Sequence, residues 1–279
     1  MSDLQKEWQV AREAILQAGR EVLRLYEEYT PIPDAPATIT TPADLASQEI
    51  LSHVLSSTFP QDLLWGEEAE LGKPAHASIL PAQARIWIMD PIDGSRGFAR
   101  KNDEFSIMLA LVINGVPCLG LVYEPVQARL TWALRNQGTW IEEKDGPPRQ
   151  CRVSDRKIIG GATLIVSRSE KGPRYAWQQY GLRIVETYSA GIKLAAVARG
   201  EAELYWSTYT GFHPWDLCAG HMLILEAGGE VTDRYGSPIV YRRREQNIPG
   251  ILASNGLLHQ QALEVLGRAD NPHQGTTKT

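Results

Sequence analysis

Apolar residues recur along this chain in two rhythms, and the changes of rhythm mark its elements. Trp8, Ala11, Ile15, Ala18, Val22 and Leu25 stand three or four positions apart, which predicts a helix over about residues 4–29 with one buried stripe. The spacing is that of a coiled-coil seam, but the stripe is short, and a core-facing surface accounts for it. A proline-rich linker, Pro31 to Pro36, separates it from a second helix opened by Thr41-Pro-Ala-Asp44 and running to about Phe59. Thr41 fits the N-cap and Pro42 the first helical position. Asp44 is explained there by a capping box.

The rhythm then shortens. Gly66-Glu67-Glu68 lies in a coil, and Ile86-Trp-Ile-Met89 predicts a buried strand ending at Asp90, where Pro91 stops the ladder. Residues 105–113 and 119–123 bracket Asn114-Gly115, a hairpin signal, and residues 130–134 and 139–142 bracket a further turn. Successive hairpins imply an antiparallel sheet. The polar stretch 144–150 divides the chain into an N-terminal α+β subdomain (1–150) and a C-terminal α/β subdomain (151–268), with a disordered tail over 269–279. Beyond 150, strands over 163–166, 183–186, 203–206 and 230–232 alternate with helices over 170–180, 190–199, 214–227 and 257–266.

The segment from Trp87 to Phe98 carries the chemistry. If the strand ends at Asp90 and Pro91 turns the chain, Asp93 swings back beside Asp90. Two carboxylates in one pocket repel and favour each other's protonation unless a cation joins them. All-oxygen ligands suit Mg²⁺ better than zinc, and free backbone N–H groups at Gly94 and Ser95 suit an anion. By the same repulsion, Asp93→Asn abolishes activity while the protein stays folded, and stability without cation holds or rises. A bare Asp-Pro-x-Asp-Gly is also an ordinary polar turn. Taken singly, Glu67-Glu68 reads as a solvated acidic pair, and Asp216 as a helix first-turn carboxylate. Their occurrence together favours a common site.

Composition narrows the function classes. At 279 residues with a formal net charge of −5 and a pI near 5.7, the chain is unsuited to broad binding of nucleic acid polymer or anionic membrane. A small phosphorylated substrate stays compatible, because a bound cation reverses the local field. Cys118, Cys151 and Cys218 are odd in number without CxxC spacing, which fits a reducing compartment. With no apolar run of membrane length and a polar start, the chain is expected to be soluble and cytoplasmic. His213 and His221 flank Asp216, but zinc there would compete with the oxygen site. Arg242-Arg-Arg244 reads as solvated surface, with anion binding as the alternative.

In order along the chain, Gly66-Glu67-Glu68, Trp87-Ile-Met-Asp-Pro-Ile-Asp-Gly-Ser95, Trp215-Asp-Leu-Cys-Ala-Gly220 and Glu226-Ala-Gly-Gly229 resemble the inositol monophosphatase-like family of Mg²⁺-dependent, lithium-sensitive phosphatases. The resemblance implies a layered α-β-α-β-α sandwich, a homodimer, and two Mg²⁺ ions with room for a third near Glu67. One ion would sit on Glu67, Asp90 and the carbonyl of Ile92, the other on Asp90, Asp93 and Asp216. Gly94 and Ser95 would hold the phosphate, and Glu67, Asp44 and Ser95 would orient or deprotonate the attacking water. Ser95 stands where the family usually has Thr. Arg100-Lys-Asn-Asp-Glu-Phe-Ser106, Val122-Tyr-Glu-Pro125, Val166-Ser-Arg-Ser169 and Ser189-Ala-Gly-Ile-Lys193 resemble the 3'(2'),5'-bisphosphate nucleotidase branch, which acts on adenosine 3',5'-bisphosphate in sulfur metabolism. In that branch the segment of Ser167 and Lys193 help hold the second phosphate. Inositol-specific members place Glu at the position of Tyr209, which here offers a ring for stacking on a base. The branch often has His where Glu170 stands. An inositol or sugar phosphatase, and a non-catalytic binding protein of the same fold, remain the alternatives.

Overall fold

Alternation along the strands builds two cores at once. In a computed structural model describing residues 4–68, 84–144, 146–170, 177–244 and 246–270, β2 spans Arg85–Asp93. Ile86 and Ile88 join one buried cluster, Trp87 and Met89 another. The neighbouring strand β3 (Ser106–Ile113) repeats this, with Met108, Ala110 and Val112 on the first side and Ile107, Leu109 and Leu111 on the second. A strand apolar at every position must be covered on both faces, and helices do the covering.

On one face lie α1 (Gln5–Glu28) and α2 (Pro42–Thr58). The apolar stripe of α1 is buried there, with Ala11, Ile15, Ala18 and Val22 at 0 % exposure. The opposite face meets α4 (Ala190–Ala198) and α5 (Pro214–Glu226). These two helices are also covered by a second sheet, whose inner residues Ile165, Tyr205 and Ala253 share their cluster. The outer face of that sheet, with Leu164, Trp206 and Leu252, packs on α6 (His259–Asp270) through Leu258, Ala262 and Leu266. The layers run helix, sheet, helix, sheet, helix, the sandwich that the resemblance implies.

The first sheet has seven strands in sequence order: β1 (Leu63–Gly66), β2, β3, β4 (Val116–Glu124), β5 (Arg129–Leu134), β6 (Thr139–Glu143) and β7 (Arg149–Cys151). β1 runs parallel to β2 and the rest are antiparallel. The expected hairpin is present, with Asn114 and Gly115 both at positive φ. The second sheet is ordered β11-β12-β10-β8-β9, from β8 (Thr163–Ser167), β9 (Arg183–Thr187), β10 (Leu204–Ser207), β11 (Glu230–Thr232) and β12 (Ile251–Ser254).

Several expectations need correction. Pro91 does not end the site strand: β2 continues to Asp93, with a register shift between Asp90 and Asp93. The ladder breaks locally and the strand resumes, as a bulge permits. Residues 63–66, expected as coil, form the edge strand β1, and residues 149 and 150, expected in the boundary stretch, pair with β6 together with Cys151. β12 was not anticipated. A five-residue helix, α3 (Ser95–Ala99), follows the site turn. The expected helix over 170–180 falls largely on residues 171–176, outside the described residues. Of the expected tail, Ala269 and Asp270 belong to α6, and 271–279 lie outside the described residues.

Candidate active site

Helix-capping demands bring the acids together before any catalytic demand does. At the start of α2, Asp44 closes a capping box: its Oδ2 accepts from the Thr41 backbone N–H at 2.8 Å and the Thr41 hydroxyl at 2.5 Å. That leaves Oδ1 pointing outward, where it accepts from Ser95 Oγ at 2.7 Å. Ser95 Oγ also lies 2.9 Å from the carbonyl oxygen of Ile92. The hydroxyl has one proton and two acceptors, so it can give that proton to Asp44 and accept another. Burial pushes the Asp44 carboxyl up, against the hydrogen bonds from Thr41 and Ser95.

Asp93 is held by α4, from the other half of the chain. Its Oδ1 accepts from the backbone N–H of Ala190 at 3.1 Å, and its Oδ2 from that of Gly191 at 2.6 Å. The hydroxyl of Ser189, the N-cap of α4, also donates to Oδ2, as does Ser106 at 3.3 Å. Oδ2 is crowded with donors while Oδ1 keeps accepting capacity. Gly94 turns the chain at a φ of 90°, and a Cβ there would stand 2.8 Å from the carbonyl oxygen of Glu104. At Gly191 a Cβ would meet Ser106 Oγ at 2.5 Å and Asp93 Oδ2 at 3.1 Å. Both glycines permit the approach of α4 to the site turn.

Asp90 is 1 % exposed, and its Oδ1 has no hydrogen-bond partner among the described residues. Burial raises its carboxyl well above the usual range, and the charges of Glu67, Asp93, Asp216 and Asp44 add to the effect. Glu67 shares a hydrogen bond with Asp90; removal from water, then Glu68, Asp44 and Asp93, push it up to about 7. Asp216 accepts from the His213 backbone N–H at 2.5 Å at the start of α5, and burial raises it well above its ordinary value. The Glu67 loop is fixed from behind: Gln48 bonds both the N–H and the carbonyl of Glu68, and Arg244 donates to the Gly66 carbonyl. Arg244 is thus a tether of the acidic loop rather than solvated surface.

The structure therefore brings together Asp44, Glu67, Asp90, Asp93, Ser95 and Asp216, with the Ile92 carbonyl and Gly94 among them. It does not present Lys193 as a free surface cation. That side chain is 1 % exposed; its Nζ donates to the carbonyls of Thr187 and Tyr188 and lies 5.3 Å over the Tyr205 ring. Burial pulls it down to about 8, against the pull of Asp93, Glu170 and Glu104. Ser167 Oγ accepts from the Ser169 N–H in the loop after β8. Tyr209 is 55 % exposed, its ring edge-on to Phe212. His221 is spent on Tyr241 at 2.9 Å, and burial pulls it down to about 4.

The donor set suits a hard cation. Buried carboxylates that raise one another's pKa, one of them with an orphaned oxygen, carry uncompensated negative charge, and oxygen-only ligands match Mg²⁺. Among the described residues no three His, Cys, Asp or Glu side chains stand as they are in an arrangement that could hold a metal ion; the fit rests on the chemistry of these acids and on their mutual electrostatic coupling.

The model of the inositol monophosphatase family matches residues 3–270. The chain belongs to that family. It is 29% identical over 243 residues to the 3'(2'),5'-bisphosphate nucleotidase CysQ of Escherichia coli K12, across 85% of this chain and 95% of the other. It is 28% identical over 274 residues to an inositol-1-monophosphatase of Synechocystis, across 95% and 90%. Among solved structures, inositol monophosphatase from Anabaena superposes with a TM-score of 0.77 at 28% identity, covering 99% of this chain and 100% of the other. The chain is accordingly a phosphoric monoester hydrolase acting on small phosphorylated substrates, in a family that is generally Mg²⁺-dependent. No described helix is long and apolar enough to cross a membrane.

Sequence reasoning missed Ser106, Ser189 and Gly191, whose contacts with Asp93 close over 13 to 98 positions. They also reverse the stability expectation for Asp93. A neutral amide relieves repulsion, but it gives up a carboxylate that accepts from two backbone N–H groups and two hydroxyls. Asp93→Asn is expected to abolish phosphatase activity and to lower unfolding free energy by about 1–3 kcal/mol, the scale of hydrogen bonds to a charged group. Urea unfolding in EDTA measures this; unchanged or increased stability contradicts it.

The raised acids also set a pH dependence. A carboxyl raised in the folded state binds more protons there than in the unfolded state, so its contribution is present below the unfolded pKa and lost as pH rises. For Glu67 the window runs from 4.5 to about 7, and Asp90 and Asp216, also raised by burial, act in the same direction. In EDTA the melting temperature should fall across this range, and Mg²⁺ should restore most at its upper end. Equal Mg²⁺ effects at pH 5 and pH 7.5 would contradict it.

Proposed function

We propose that this phosphatase removes the 3'-phosphate of adenosine 3',5'-bisphosphate, giving AMP and inorganic phosphate, with two Mg²⁺ ions and room for a third near Glu67. Glu67, Asp90 and the Ile92 carbonyl would hold one ion, and Asp90, Asp93 and Asp216 the second. Bound there, Mg²⁺ supplies Lewis acidity at phosphate and leaving oxygens and lowers the pKa of water. The observation that carries the hydrolytic reading is the Ser95–Asp44 contact of 2.7 Å, set beside the convergent acids.

The residues divide the work. The N–H groups of Gly94 and Ser95 orient the phosphoryl group. Ser95 Oγ takes a proton from the attacking water as its own passes to Asp44 Oδ1, and burial of Asp44 makes its carboxyl a better proton acceptor. Water oxygen bonds to phosphorus, the bond to the ribose 3'-oxygen breaks, and that oxygen leaves to be protonated. Glu67, displaced to about 7, is the second group able to hold a proton near neutrality.

The nucleotide assignment is supported by the bisphosphate nucleotidase relatives, by Tyr209, which offers a ring and no carboxylate, and by Ser167 at the end of β8. One observation favours an inositol or sugar phosphate instead: Glu170 carries a carboxylate into this region, bonded to the Ser207 hydroxyl and the Thr208 N–H.

Phosphate release with Mg²⁺ from a panel of adenosine 3',5'-bisphosphate, inositol 1-phosphate and fructose 1,6-bisphosphate tests the assignment. The bisphosphate nucleotide should have the highest kcat/KM; comparable turnover of all sinks the nucleotide reading, and turnover of none sinks the catalytic one. Ser95→Ala should lower kcat by about 10²–10⁴-fold, the range of acid–base contributions, with KM little changed. A loss in KM alone would place Ser95 in binding rather than proton transfer.

A further inference from the structure

Immediately after Ser95, the chain places cations whose charge the acidic site does not use. Arg96 and Arg100 lie on α3 and at its C-cap, with Arg168 in the loop after β8. All three guanidinium carbons stand 5.8 Å from the centroid of the Tyr188 ring. Arg168 is neutralised, paired with Glu104 at 2.5 Å and with Glu186 at 3.7 Å. Arg96 and Arg100 differ. Neither makes an ion pair among the described residues, and the Nε of each is buried without a partner. Arg100 Nη1 is spent on the Tyr188 hydroxyl at 2.5 Å, which braces the ring. Arg96 Nη1 reaches only the Ser169 hydroxyl, at 3.5 Å, the limit of a hydrogen bond.

A guanidinium half-withdrawn from water, with an unmet N–H and no carboxylate, favours an anion with oxygens to match its fork. The neighbouring carboxylates repel any anion that their cations do not neutralise. A second phosphate on the substrate therefore needs a cation of its own, outside the acid cluster yet on the same turn.

We propose that Arg96, backed by the Arg100–Tyr188 brace and beside Ser169, binds the second phosphate of a bisphosphate substrate and so determines specificity. This rests on the bisphosphate reading and goes beyond it, because it moves recognition of the second phosphate from Lys193, whose Nζ is held by two main-chain carbonyls, to α3. Arg96 is a binding residue that touches no reacting atom.

The experiment compares kcat/KM for adenosine 3',5'-bisphosphate with that for adenosine 3'-monophosphate, in the full-length Mg²⁺-loaded enzyme. Wild-type enzyme should prefer the bisphosphate. In Arg96→Gln, which keeps length and polarity, the preference should fall about 10-fold or more, as for loss of a charged hydrogen-bond partner, through KM for the bisphosphate. Arg96→Lys should restore part of it, since the charge returns without the fork. The control Lys157→Gln, an exposed lysine that the proposal does not use, should leave the ratio as it is. If wild-type enzyme prefers the bisphosphate and Arg96→Gln retains that preference with a wild-type melting temperature, the subsite is overturned and the substrate reading stands. If wild-type enzyme has no such preference, the substrate reading falls and takes the subsite with it. Should Arg96→Gln melt early, Arg96→Lys decides by the same ratio: an unchanged preference overturns the proposal.

Discussion

The carboxylate of Asp93, bound to the first turn of α4, is the joint on which this molecule turns. It stands at the end of a strand in the first sheet and accepts from the N–H groups of Ala190 and Gly191, in the layer between the sheets. One charged group thus fixes the distance between a turn in the first half and a helix in the second. Ser106 and Ser189, 3.0 Å apart, both reach the same Oδ2, so the joint is braced from strand and helix alike. A methyl group at Gly191 would force it open. The strain of crowding acids is therefore opposed by donors of which Ser189, Ala190 and Gly191 are in place only when both halves are folded together.

The other acids obey a related rule. Asp44 and Asp216 each occupy the third residue of a helix and accept from the backbone N–H of the residue before it. The N-termini of α2, α4 and α5 are therefore all directed toward the carboxylate cluster, and each brings partial positive charge with its unpaired N–H groups. This explains how the site tolerates Asp90, which has neighbours of like charge and an oxygen without a partner. Helix ends offset part of the repulsion, and a divalent cation bound there would offset what they leave. The capping box of α2 leaves one carboxylate oxygen of Asp44 facing Ser95, so a capping box does not argue against a functional role.

What could be read from the sequence was local. Thr41-Pro-Ala-Asp44 predicts its capping box because the partners are three residues apart, and Asn114-Gly115 predicts its hairpin because both residues accept positive φ. The stripe of α1 was legible from its spacing. β1 was not, since four residues on a sheet edge, paired in parallel with a strand some twenty positions on, carry no alternation of their own. β12 is buried and apolar, a pattern that periodicity cannot assign. Pro91 misled for a physical reason: proline removes one ladder donor, and a register shift lets the strand continue without it. The site acids were legible as a set because their motifs are distinctive, whereas their partners were not, because main-chain N–H groups leave no signature in side-chain identity.

Lys193 and Arg96 show how the depth of a cation decides its role. Both were available to oppose the acids, and both lie in segments that meet the site. Lys193 is buried, and its ammonium is satisfied by two carbonyls that fix the segment leading into Ser189; its charge reaches Asp93 only through the field. Such a group supports the shape of the N-cap that holds Asp93, and losing its proton as burial lowers its pKa would weaken that support. Arg96 is less buried and, among the described residues, has no carbonyl or carboxylate to satisfy its fork. A cation already satisfied by the chain stabilises the fold; one left unmatched one residue after Ser95 is the one that, under the proposal made above, would choose among substrates.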